Sequence, residues 1–101
     1  MDQIERISAM EAALDVASAA VAGLEQALEA YLAAQEQVEA LDEYYAGDDW
    51  RRDFEDDEAG LLPADLKRGV LSEDAVYDLL EDNRELAFAL IESATDVLRA
   101  Y

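Results

Sequence analysis

The chain has 101 residues, enough for one domain with a modest core. It carries 26 acids against 7 bases, a formal charge of −19, and no cysteine or histidine. That composition excludes disulfides, Cys/His zinc sites, cysteine nucleophiles and histidine bases, and it opposes contact with nucleic-acid backbones or anionic membranes.

The first segment, about 2–45, contains no proline. Ile7, Met10, Leu14, Ala17, Val21, Leu24, Leu28, Tyr31, Gln35, Val38 and Tyr45 recur in steps of three and four. This is a heptad a/d seam, with acids on the other faces. Polar Gln35 and Asp42 interrupt it. Gly23 lies off the seam and weakens the helix by roughly 1 kcal/mol. Unbroken, the helix is about 65 Å long. The start, Met1-Asp2-Gln3-Ile4-Glu5-Arg6, lacks the basic and apolar regions of a signal peptide. No apolar run approaches the length of a membrane span. A cytoplasmic setting without membrane contact is therefore expected.

The linker, about 46–71, is expected to be irregular around one short helix. Gly47 is expected to end the first helix as a left-handed cap. Asp48 or Asp49 should cap a helix running through Glu58 and carrying Trp50 and Phe54, and Gly60 should stop it. Pro63 suits the start of a brief helical segment towards Leu66. Gly69 permits another reversal.

The third segment, about 72–100, opens with Ser72 as a helix cap. Leu71 and Val76 have the spacing of a hydrophobic staple. Val76, Leu79, Leu80, Asn83, Leu86, Leu90, Ala94, Val97 and Tyr101 again step by threes and fours, and Phe88, Ile91 and Leu98 widen the face. No alternating β-branched run reads as a strand. The expected fold is all-α: a single helical domain over 1–101, with two long helices as an antiparallel hairpin or bundle and the short helix between them. The last helix is the shorter, so part of the first stripe should stay open towards its N-terminal end.

Several constellations bear on function. Asp53, Glu55, Asp56, Asp57 and Glu58 form an acidic cluster. Counted from Asp53, a calcium loop would need glycine at its sixth position and an acid at its twelfth, where Glu58 and Ala64 stand. A solvated helix face is the reading favoured. Di-metal centres of helical bundles use Glu-x-x-His pairs, and histidine is missing. Gly60 and Gly69 are isolated and make no phosphate loop. No catalytic residue, metal or cofactor is expected. Tyr44, Tyr45, Trp50, Arg51, Arg52, Lys67 and Arg68 are the candidate interaction surface, because Trp, Tyr and Arg dominate interface hot spots. Against this, Trp50 and Phe54 can plug the bundle end while the arginines neutralise Asp53, Asp57 or Asp65, and this structural role is favoured.

One block is distinctive: Leu41-Asp42-Glu43-Tyr44-Tyr45, Trp50-Arg51-Arg52-Asp53, the run from Asp57 to Asp74 containing Gly60-Leu61-Leu62-Pro63, and Tyr77-Asp78-Leu79-Leu80-Glu81-Asp82. It resembles a small bacterial family known as domain of unknown function 4298, and the helix before it fits that family's layout. The resemblance implies a bacterial source and a small stand-alone protein, and implies no activity. The expected function is a non-enzymatic interaction with a protein partner, including a further copy of the chain, with no direct nucleic-acid binding. The alternative is an acidic mimic of DNA that occupies a nucleic-acid-binding protein.

Overall fold

The computed structural model describes residues 2–101, and among them the regular structure is entirely helical. Three α-helices follow in order: α1 (Gln3–Ala46), α2 (Asp48–Glu58) and α3 (Ala75–Arg99), with a 3₁₀ turn over Gly69–Leu71. The all-helical class and the order of elements are those read from the sequence. The chain divides into two compact units, one through Glu36 and the other Gln37–Tyr101.

In the first unit, Asp2 starts α1: its carboxylate accepts the Glu5 N–H at 2.8 Å and its carbonyl the Arg6 N–H at 2.9 Å. The side chain thus satisfies one of the N–H groups that a helix start leaves unpaired, and the carbonyl accepts the first regular bond of the helix. The helix runs unbroken through Gly23, where a Cβ would meet nothing within 4 Å. No residue of α1 is buried. Ile7, Met10, Leu14, Val21 and Leu24 are all more than half exposed, so the open N-terminal stripe is as expected. Gln35, at a seam position, donates from Nε2 to the Tyr31 carbonyl of its own helix at 3.3 Å.

One expectation needs correction here. The helix α1 contains an 18-residue stretch of mean hydropathy 1.4 with no more than two charges, long and apolar enough to cross a membrane by length and composition. An uninterrupted apolar run does not reveal it, because Glu11 and Asp15 divide the stretch.

In the second unit, half-buried Val38, Leu41, Tyr44 and Tyr45 occupy the last turns of α1, and half-buried Leu80, Asn83 and Leu90 lie along α3. The buried core is Leu71 at 5% exposure and Val76 at 3%. The 3₁₀ turn packs against both α2 and α3, so this pair marks where the elements converge. The staple spacing of Leu71 and Val76 identified them in advance. Ser72 Oγ accepts the Ala75 N–H at 3.2 Å, which sets the chain's angle into α3 between the two stapled side chains.

The linker departs from expectation at Gly47, at the cap of α2 and at Pro63. Gly47 is extended (φ −96°, ψ 176°), not left-handed. A Cβ there would lie 3.2 Å from the Glu43 carbonyl oxygen, so close approach to the preceding turn is what calls for glycine. Gly47 itself is the N-cap of α2; Asp48 and Asp49 sit in the first turn, where their charges face the positive end of the helix dipole. Among the described residues, Gly60 alone has positive φ, 72°. Its N–H donates to the Asp57 carbonyl and that of Leu61 to the Asp56 carbonyl, each at 3.0 Å, a Schellman end to α2. Pro63 begins a turn closed by the Leu66 N–H at 3.2 Å, in place of the expected helical segment. Gly69 opens the 3₁₀ turn.

Candidate interaction surface

The residues singled out around the linker divide into those with an internal partner and those at the surface. Tyr45, Trp50 and Phe54 form a ring cluster. Tyr45 meets Trp50 edge-on with centroids 5.0 Å apart, and Trp50 stacks on Phe54 at 5.1 Å. The i, i+4 spacing of Trp50 and Phe54 places both rings on one face of α2. The Trp50 indole donates from Nε1 to the Val70 carbonyl at 3.0 Å, fixing α2 to the 3₁₀ turn. The Tyr45 hydroxyl donates to the Glu73 carbonyl at 3.3 Å.

Tyr44 donates its hydroxyl to Asp53 Oδ2 at 2.6 Å, a short charge-assisted bond. Burial, the bond to the Asp53 carboxylate and the charges of Asp53 and Asp49 push the phenol up to about 12. Each of these disfavours a second negative charge at this point.

Arg68 donates from Nη1 to Asp57 Oδ1 at 2.8 Å and from Nη2 to the Ala64 carbonyl at 3.2 Å. Both side chains of the ion pair are about two-thirds or more covered, so the pair tethers the Pro63 turn to α2 in partial shelter from water. Arg51, Arg52 and Lys67 are exposed. Arg52 approaches Asp49 at 4.0 Å with both side chains largely in solvent, a contact of little energetic weight.

The acidic cluster is therefore split in use: Asp53 holds Tyr44 and Asp57 holds Arg68. Among the described residues, no group of three or more carboxylates is placed to hold a metal ion. Grooves follow single helices, one along Ala17, Ser18, Val21, Ala22 and Glu25 of α1, another along Ile91, Glu92, Thr95, Asp96 and Arg99 of α3. On α3, the Arg84 guanidinium lies over the Phe88 ring, 5.4 Å from its centroid.

Sequence reasoning found the aromatic and basic residues but missed what they bind. The carbonyls of Val70, Glu73 and Ala64 are acceptors that no side-chain pattern announces. A further row of exposed apolar side chains lies on the first unit, where Ile7, Met10, Leu14, Val21, Leu24 and Leu28 follow the heptad seam and Ile4, Val16 and Leu32, off it, are exposed as well.

No curated protein and no solved structure matches the chain. The family model for a domain of unknown function, DUF4298, matches residues 7–93, most of the chain, and the protein belongs to that family.

Proposed function

We propose that this protein is a non-enzymatic protein-interaction module that holds a protein partner through the apolar stripe of α1. The observation that carries the reading is a helix without one buried residue whose large aliphatic side chains line a heptad seam. Contiguous exposed apolar surface on a helix is the usual signature of a docking face. The ring cluster around Trp50 and the Arg68–Asp57 pair serve instead as internal ties, and exposed Arg51, Arg52 and Lys67 form a secondary rim.

The test is capture of partners from a lysate of the source organism by the tagged full chain, washed at low and then high salt. The reading expects a specific protein that survives high salt and is lost with a Leu14→Glu/Leu24→Glu bait. Recovery only of DNA-binding proteins, released by salt and competed by duplex DNA, would replace this reading with the DNA mimic. That alternative draws on the −19 charge alone.

A further inference from the structure

The partner chemistry is legible in the residues that flank the stripe. With Ile7, Leu14, Val21 and Leu28 at a and Met10, Ala17 and Leu24 at d, the g positions are Arg6, Ala13, Ala20 and Ala27. The e positions are Glu11, Ser18, Glu25 and Leu32. In a parallel, in-register pair, each g residue faces the e residue of the next heptad on the other helix. Arg6 of each copy then faces Glu11 of the other, while alanine faces Ser18, Glu25 and Leu32. Every acid at e meets either a cation or a small neutral side chain. In an antiparallel pair e faces e, and a register centred on Ser18 sets Glu11 against Glu25 twice. The parallel pair thus gains two Arg6–Glu11 contacts that an antiparallel pair, with e facing e and g facing g, does not offer.

We infer that the stripe of α1 docks on the same stripe of a second copy of this chain, as a parallel two-stranded coiled coil over about Arg6–Leu32. This rests on the interaction reading above and names its partner. Six large side chains, from 39% to 67% exposed, mark the seam over roughly 32 Å of helix. They span three heptads, with Ala17 completing the repeat, the length at which an a/d pattern sustains a coiled coil. Ile7 and Val21 at a with Leu24 at d favour two strands. Ala13, Ala20 and Ala27 flank the seam without charge or bulk, so the helices can approach closely.

Sedimentation equilibrium of the purified full chain tests the inference. The expected mass is twice the 11.2 kDa of one chain, falling to one chain on dilution. Leu14→Glu/Leu24→Glu should be monomeric, with Trp50 fluorescence unchanged to show that Gln37–Tyr101 keeps its packing. Because the chain has no cysteine, Met10→Cys reports orientation: parallel register gives a rapid disulfide-linked dimer, and an antiparallel pair gives none. Arg6→Glu should weaken the dimer roughly three- to tenfold, and Arg6→Glu/Glu11→Arg should restore it. A monomer at every concentration, a trimer, or no Met10→Cys cross-link would overturn the inference. A monomer that still captures a salt-resistant partner from lysate would do so while leaving the proposed function standing.

Discussion

Leu71 and Val76 carry a share of the core out of proportion to their number, since they are the buried residues among those described. Leu71→Ala should lower stability by about 2–3 kcal/mol, read as a shift in the urea midpoint with unchanged slope. Tyr44 makes a different prediction. Folding favours its neutral phenol, because the hydroxyl donates to Asp53 and is raised to about 12. The contribution is complete below the ordinary tyrosine value near 10 and is lost as pH rises through the folded value. A spectroscopic titration should show one of the five tyrosines ionising late, and Tyr44→Phe should remove that step at a cost of about 1 kcal/mol. At this scale residue types were legible and partners were not. Arg68 had three plausible carboxylates, Asp53, Asp57 and Asp65, and the path of the linker selects Asp57.

Helix ends show how local chemistry succeeds and where it stops. Ser72 and the pair Leu71 and Val76 were readable because their contacts join residues close in sequence, although the N-cap of α3 is Asp74, two residues beyond the expected Ser72. Gly60 was readable for the same reason. Gly47 was read correctly as an end and wrongly as left-handed, because glycine serves both positive φ and close backbone approach. Two substitutions separate these uses of glycine. Gly23→Ala, in an open helix interior, should stabilise the protein by about 0.5–1 kcal/mol. Gly60→Ala, at φ 72°, should destabilise it by about 1 kcal/mol. Thermal unfolding of both variants beside the parent checks the opposite signs.

Across the whole molecule the dominant facts are a charge of −19 and an exposed apolar stripe along α1. They make opposite demands on salt. Residues 2–36 carry seven acids and one base, so two copies repel along their outer faces. Raising salt from about 10 mM to about 150 mM shortens the screening length roughly from 30 to 8 Å. Self-association should therefore tighten over that range, as measured by sedimentation, whereas binding to a basic protein would weaken.

The sequence by itself determined the helical class, the extent of each helix to within a few residues, and the staple that became the core. These follow from periodicity and from contacts between near neighbours along the chain. Only the tertiary structure decided that Trp50 bonds to Val70, Tyr45 to Glu73 and Arg68 to Asp57. Those partners stand 11 to 28 residues apart. Their meeting depends on the route taken by a turn, not on any pattern of side chains, and two of the acceptors are backbone carbonyls, which every residue has.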